Sequence, residues 1–104
     1  MGGRKSMVKQ KLEAFKEEMY FVAERYYDTY GELGGSISIS VVLKDFLIVA
    51  CASIKQMDVL VSNDNYTMLT ENAMRAYNLI NKARKIKTPQ FIDYVEFCRR
   101  LSSL

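Results

Sequence analysis

Two aspartates in the middle of the chain are the residues best suited to chemistry. Asp45 lies early in the apolar stretch "VVLKDFLIVACASI", and Asp64 follows an apolar run within "VLVSNDNYTML". The chain has no histidine, which excludes histidine general bases, histidine triads and histidine-held metals. Two carboxylates with neighbouring amides suit a hard cation such as Mg²⁺ or Mn²⁺, which can activate water and stabilise phosphoryl transfer.

Each aspartate taken alone also has an ordinary structural explanation. The geometry of the chain favours a chemical role for the two together. Asp45 gains from the dipole at a helix start, and Asp and Asn after a strand are ordinary turn formers. From Asp45 to the predicted helix end is roughly 17 Å of helical rise, and from Met57 to Asp64 is roughly 23 Å of returning strand. Because these lengths nearly cancel, we expect both carboxylates at one edge of the domain, at the carboxyl end of the strand.

The elements that position Asp45 begin with a long helix over residues 7–31. Its apolar residues alternate steps of four and three, which is typical of a core-facing helix and also fits an oligomer seam. This stripe consists of Val8, Leu12, Phe15, Met19, Val22 and Tyr26. Residues 36–40, "SISIS", alternate like a short strand, and Ser40 is well placed as the N-cap of the next helix. That helix, over residues 41–56, is apolar on nearly every side, which predicts a central, buried position.

The second half of the chain alternates strands and helices. We expect a buried strand over Met57–Ser62, a helix over residues 70–86 capped by Thr70, and a strand over Gln90–Ile92. A last helix runs from the cap Asp93 to Leu104, with apolar contacts predicted from Val95, Phe97, Cys98 and Leu101. This order predicts a helix-rich α/β fold with a partial parallel sheet and a long N-terminal helix. Two strands are too few for a free-standing sheet.

Length and composition bound the remaining possibilities. The chain has 104 residues, which predicts one domain over residues 7–104, and "MGGRKS" at residues 1–6 reads as a flexible tail or a cloning scar. Net charge is +3, compatible with a nucleic-acid partner but weak evidence for one. Cys51 and Cys98 are widely spaced, which favours buried thiols in the reducing cytoplasm. No apolar run is long enough to cross a membrane.

At the residues around the aspartates the chain resembles the later half of PIN domains, a family of metal-dependent ribonucleases with many toxin members in toxin–antitoxin pairs. "LKDFLIVACAS" followed by "DVLVSNDNYTML" carries the resemblance, and "TPQFIDYVEF" is similar to the closing strand and helix of archaeal-type members. The resemblance covers roughly residues 36–104. It implies catalytic and metal-binding roles for Asp45 and Asp64, a Mg²⁺ or Mn²⁺ cofactor, an RNA substrate and an antitoxin-like partner.

The start of the chain departs from the family pattern. PIN domains open with a central strand of the form "hhhDTN", and no such strand precedes residue 36. Many members carry a further acid two positions after the one matching Asp64, where this chain has Tyr66. We therefore expect a truncated PIN-like domain whose missing central strand exposes a sheet edge and apolar surface, which favours homo-oligomers.

Two functions remain open at this point. The first is a Mg²⁺- or Mn²⁺-dependent ribonuclease with Asp45 and Asp64 as its ligands. Its residues for orienting water or substrate would be Ser62, Asn63 and Asn65, and its phosphate-binding residues Lys82, Arg84, Lys85 and Lys87. That basic run is also typical of a solvated helix end. The second function is a catalytically inert PIN-like remnant that acts as an oligomerisation or protein-interaction module.

Overall fold

A computed structural model describes the backbone of residues 2–104 and the side chains of residues 7–104. In chain order its elements are α1 (Gly2–Glu32), α2 (Ile39–Ile54), β1 (Val59–Val61), α3 (Glu71–Ala83), β2 (Gln90–Ile92) and α4 (Tyr94–Ser102). The two described strands pair in parallel, so the predicted helix-rich α/β fold with a partial parallel sheet and a long N-terminal helix is confirmed. The tail predicted for residues 1–6 falls on residues whose side chains lie outside the described part.

The core forms where α1, α2 and α3 meet, with Leu60 of β1 and Phe91 of β2 packed against it. Tyr26 of α1, Phe46 of α2 and Tyr77 of α3 are fully buried, and their rings pack edge to face. Only the later half of the α1 stripe joins this core, because Val8 and Leu12 are more than half exposed. The predicted core-facing helix is therefore confirmed for the part of α1 around Tyr26 and not for the turns that carry Val8 and Leu12.

A polar network inside this core joins four segments of the chain. The Tyr26 hydroxyl donates to Asn81 Oδ1 at 2.5 Å, and Asn81 Nδ2 donates to Ser53 Oγ at 2.9 Å and Thr88 Oγ1 at 3.0 Å. Tyr26, Ser53 and Asn81 are all fully buried, and no buried side-chain polar atom in the described residues lacks a partner. Since a buried polar group without a partner is costly, this network fixes how α1, α2, α3 and the segment before β2 fit together.

Local chemistry explains where two helices begin. Thr70 caps α3 by accepting the Ala73 N–H at 3.2 Å, and Asp93 caps α4 by accepting the Glu96 N–H at 2.7 Å. Both predicted caps are confirmed. Side-chain oxygens at these positions satisfy backbone donors that have no partner within the helix.

The segment before α2 differs from its prediction. Residues 36–40 form no strand, because the Ile37 N–H donates to the Tyr30 hydroxyl and the Ile37 carbonyl accepts from Tyr27, which ties the segment to α1. The cap is Ser38 rather than Ser40, and Ser40 lies inside the helix with its hydroxyl 2.9 Å from that of Ser38. The helix therefore spans Ile39–Ile54 instead of residues 41–56.

The end of the chain also departs from expectation. None of the residues of α4 is buried, so the apolar contacts predicted for Val95, Phe97, Cys98 and Leu101 are wrong. Val95 is 79 % exposed. The helix is held mainly at its start and by its own charged pairs, and its apolar side faces solvent. None of the described helices combines the length and hydropathy that crossing a membrane requires.

Candidate functional site

The two aspartates meet at the carboxyl end of β1. Asp45 comes from the second turn of α2, and Asp64 comes from the turn that follows β1. The Thr67 hydroxyl lies within hydrogen-bonding contact of Asp45 Oδ2 and 2.6 Å from Asp64 Oδ2. The structure therefore brings together two carboxylates that are 19 positions apart in the sequence, as the matched lengths of helix and returning strand predict.

The turn after β1 holds the Asp64 carboxylate in a fixed direction. Asp64 Oδ1 accepts the N–H groups of Tyr66 and Thr67, each at 3.0 Å, and the Asp64 N–H donates to Ser62 Oγ at 3.0 Å. The Thr67 hydroxyl, followed by the Thr67 N–H, lowers the pKa of Asp64 because both donate to its charged form. Asp64 is therefore ionised at neutral pH.

A single hydroxyl between two carboxylates leaves the cluster one hydrogen short. Thr67 has one O–H, which can donate to Asp45 or to Asp64 but not to both. The remaining contact brings a carboxylate oxygen against the hydroxyl oxygen with no hydrogen between them, which is unfavourable unless a proton or a cation intervenes. Two carboxylates and a hydroxyl are hard oxygen donors of the kind that Mg²⁺ and Mn²⁺ accept, with water completing the coordination. Within residues 7–104, no group of three or more acids or cysteines is placed to hold a metal ion.

Tyr77 connects this turn to the core. Its hydroxyl donates to the Met68 carbonyl at 2.7 Å, and its ring is fully buried against Tyr26 and Phe46. Burial raises the pKa of Tyr77 well above its ordinary value, and the nearby charge of Asp45 raises it further. Tyr77 is therefore a permanent hydrogen-bond donor that anchors the turn carrying Thr67.

The three polar residues predicted to orient water or substrate take different places. Ser62 Oγ accepts the Asp64 N–H, and Asn63 Oδ1 accepts the Tyr94 N–H at 3.0 Å. Both side-chain oxygens therefore accept backbone N–H groups. The Ser62 O–H and the Asn63 amide hydrogens are left to donate to a ligand. Asn65 is exposed and, with Asn63, lines a depression of about 360 Å³ that extends towards Asp93.

The predicted phosphate-binding run lies away from the carboxylates. Lys82 lies in the last turn of α3, and Arg84, Lys85 and Lys87 follow that helix. This end of α3 is roughly 18 Å of helical rise from the end that adjoins the carboxylates. Arg84 pairs with Glu18 at 3.6 Å, and Lys87 pairs with an exposed acid before β1 at 3.2 Å. The structure does not bring this run to Asp45 and Asp64, so a single phosphate cannot contact both.

Thr67 is the residue of this cluster that sequence reasoning missed. Its position three residues after Asp64 carries a local signal, because an Asp side chain often accepts backbone N–H groups two and three residues later. That pattern predicts the turn but not the contact with Asp45, which depends on how α2 packs beside β1. Comparison of this chain with protein-family models, with curated proteins and with solved structures finds no match.

Proposed function

We propose that Asp45, Asp64 and Thr67 hold a Mg²⁺ or Mn²⁺ ion and that the chain acts as a PIN-like ribonuclease domain or part of one. One observation carries the proposal: carboxylates from two separate elements share a single hydroxyl at the carboxyl end of a parallel strand. This is the edge where open α/β sheets place their ligands. The resemblance of "LKDFLIVACAS" and "DVLVSNDNYTML" to PIN domains supports the same assignment.

Each residue has a defined task in this proposal. Asp45 and Asp64 would bind the ion through carboxylate oxygens, and Thr67 would offer its hydroxyl oxygen to the ion while donating its one hydrogen to one of the two carboxylates. Tyr77 holds the turn in place through the Met68 carbonyl. A bound divalent ion would lower the pKa of a coordinated water and stabilise charge on a phosphodiester of RNA.

The environment of the cluster limits how RNA could bind. The basic run after α3 is too distant to contact the same phosphate, so it would contact RNA several nucleotides away. The proposal also includes a cytoplasmic location and an antitoxin-like partner. Both rest only on the resemblance to PIN domains.

The decisive experiment follows Mn²⁺ binding and RNA cleavage with matched variants. Because Mn²⁺ is paramagnetic, we expect it to broaden the backbone amide signals of Asp45, Asp64 and Thr67 in the full chain, and Asp64→Asn to remove this effect. Asp58→Asn is the control, because Asp58 is an exposed acid at the opposite end of β1 whose one described ion pair is with Lys87. Cleavage of single-stranded RNA should require Mn²⁺ or Mg²⁺ and disappear in Asp64→Asn only. Broadening spread evenly over all surface acids would contradict the site.

A second candidate function is association without catalysis. The observation that favours it is α4, a nine-residue helix with no buried residue whose apolar side chains include Tyr94, Val95 and Leu101. Uncovered apolar helix faces commonly mark protein interfaces. Light scattering decides between the candidates: a homo-oligomer that Leu101→Glu dissociates, combined with no response to Mn²⁺, would support an inert interaction module. A monomer that binds Mn²⁺ would support the ribonuclease proposal.

A further inference from the structure

Helix α2 has apolar residues on two opposite sides. One side carries Val42, Phe46 and Val49, which are fully buried against α1 and α3. The opposite side carries Leu47, Ile48 and Cys51, and Ile48 is 39 % exposed. A helix that is apolar all round is normally covered all round. In the described residues α2 is covered on one side only, so its outer side lacks a partner.

The outer side of α2 borders a groove of about 410 Å³ that runs beside β1. We name it the α2–β1 groove. Its apolar lining consists of Met19, Leu47, Ile48, Cys51, Ala52, Met57 and Leu60. Its one charged lining residue is Lys44. The groove therefore suits apolar side chains, with a positive charge beside them.

The free edge of β1 lies beside this groove. Towards β2, the Asp58 carbonyl accepts the Gln90 N–H at 2.8 Å and the Ser62 N–H donates to the Ile92 carbonyl at 2.9 Å. Because successive strand residues direct their N–H and C=O groups to opposite sides, the corresponding groups of Val59 and Val61 point away from β2. The described sheet has only these two strands, so nothing in residues 2–104 pairs with that edge.

We propose that the α2–β1 groove and the free edge of β1 form one docking site for an extended strand of a partner protein. The partner backbone pairs with the N–H and C=O groups of Val59 and Val61, as in other cases of strand addition to a sheet edge. Its alternate apolar side chains enter the groove beside Leu60. This site does not depend on the cation proposed at Asp45 and Asp64.

Charge favours a partner strand with acidic residues over a second copy of this chain. Lys44 lines the groove, and the chain carries a net charge of +3. Two copies joined symmetrically through this edge would each bring a Lys44 to the interface and would repel one another. An acidic residue beside the apolar positions of a partner strand would instead pair with Lys44. A partner segment with alternating apolar residues and an acid beside Lys44 is therefore the occupant that the surface fits.

The test uses the full chain labelled with ¹⁵N and a synthetic peptide, EVTVTVTVE, as the probe. We expect a saturating peptide to slow hydrogen exchange of the Val59 and Val61 amides at least about tenfold, because those amides gain hydrogen bonds. The Leu60 amide, which points towards β2, should change little. A second peptide, N-methylated on every valine and threonine nitrogen, has no backbone donor in its strand on either edge and should fail to bind.

Two variants locate the binding to this surface. Ile48→Glu places a charge in the groove and should weaken peptide binding by about tenfold or more. Val61→Pro removes a donor that is free in this chain, so it should leave the β1–β2 pairing intact and also weaken binding. Leu79→Glu is the matched control, since Leu79 is a helical residue 50 % exposed on α3 outside the groove, and it should bind as the unchanged chain does.

Three results would overturn the proposal. In the first, the peptide leaves the exchange of Val59 and Val61 unchanged. In the second, the N-methylated peptide binds as well as the first peptide. In the third, light scattering finds a dimer in which these two amides are protected without any peptide, which would make a second copy the occupant. If the circular dichroism spectrum shows that Ile48→Glu disturbs the fold, the comparison of the two peptides decides the question. That comparison uses the unchanged chain.

Discussion

The hydroxyl of Thr67 should hold Asp45 and Asp64 together when no cation is present, and Thr67→Val tests this. Valine has nearly the same shape as threonine and keeps the backbone N–H that donates to Asp64 Oδ1 at 3.0 Å. It removes only the O–H that lies between the two carboxylates. We therefore expect the variant to fold and to be less stable, because one carboxylate loses a charge-assisted hydrogen bond while the two acids remain close together.

The size of the effect follows from one charge-assisted hydrogen bond. Such a bond contributes roughly 1.5–3 kcal/mol when its partners are buried. Asp64, Thr67 and Asp45 are half-buried, so water replaces part of the lost bond. We expect Thr67→Val to lower the free energy of unfolding by about 1.5 kcal/mol, which corresponds to a fall in Tm of roughly 6–12 °C for a domain near this size. Thr67→Ser retains the hydroxyl and should lose much less.

Dependence on pH separates the loss of the hydrogen bond from a change in packing. The pKa of Asp64 is lowered in the folded chain, chiefly by this hydroxyl. A lowered pKa stabilises the fold above the ordinary Asp value near 4, and this contribution disappears as pH falls through the lowered value. The difference in stability between the unchanged chain and Thr67→Val should therefore be full at pH 7 and shrink below about pH 4.

Thermal unfolding at several pH values, with a chelator and then with Mn²⁺, measures both effects. Bound Mn²⁺ would take over the role of the missing hydrogen, so a saturating concentration should stabilise Thr67→Val at least as much as the unchanged chain. Ligand at about one hundred times its Kd adds roughly 2.7 kcal/mol to the free energy of unfolding. A Thr67→Val variant as stable as the original at pH 7 in chelator would refute the reasoning. A loss that is the same at pH 7 and pH 3 would show that packing, not charge, is responsible.

Three further predictions test the scaffold by thermal unfolding and titration. Asn81→Leu should cost about 3 kcal/mol, because it leaves several fully buried partners unsatisfied, and a loss under 1 kcal/mol would contradict the network. Gly35→Ala should cost about 1–3 kcal/mol, since a Cβ there would overlap the buried Tyr30 ring, whereas Gly31→Ala has open space and should gain about 0.5 kcal/mol. Glu96, whose two arginine partners lower its pKa to about 2, should titrate near pH 2 in carboxyl NMR. Its contribution to α4 is then present above its ordinary pKa and is lost as pH falls towards 2.

Backbone geometry made the position of the aspartates predictable from the sequence. The rise per residue of a helix and of a strand is nearly constant, so the separation of Asp45 and Asp64 along the chain converts directly into position. The caps Thr70 and Asp93 were predictable for a similar reason, because their hydrogen bonds reach only three residues ahead. Features that depend on covalent geometry or on near neighbours in the chain can thus be read from one sequence.

Features that depend on distant parts of the chain could not be predicted in this way. Ser40 has the residue type of a cap, but tyrosines from α1 hold Ile37 and move the helix start to Ser38. The apolar spacing of α4 predicts burial, yet no other described element covers it. Thr67 contacts Asp45 only because α2 and the turn pack together. In each case the outcome depends on a contact between elements, made or missing, that residue type and local spacing do not determine.

Helix α2 contributes residues to the core, to the candidate site and to the docking groove. Phe46 faces the buried aromatic cluster, Asp45 contacts the hydroxyl of Thr67, and Ile48 borders the groove. Phe46 points to the opposite side of the helix from Ile48, whereas Asp45 and Ile48 are three positions apart and are neighbours on the helix surface, so single substitutions test whether the two sites act independently. Phe46→Ala should unfold the chain, Asp45→Asn should remove only the cation response, and Ile48→Glu should remove only strand binding. A loss of Mn²⁺ response in Ile48→Glu would show that the groove and the carboxylates are coupled through this helix and are not independent sites.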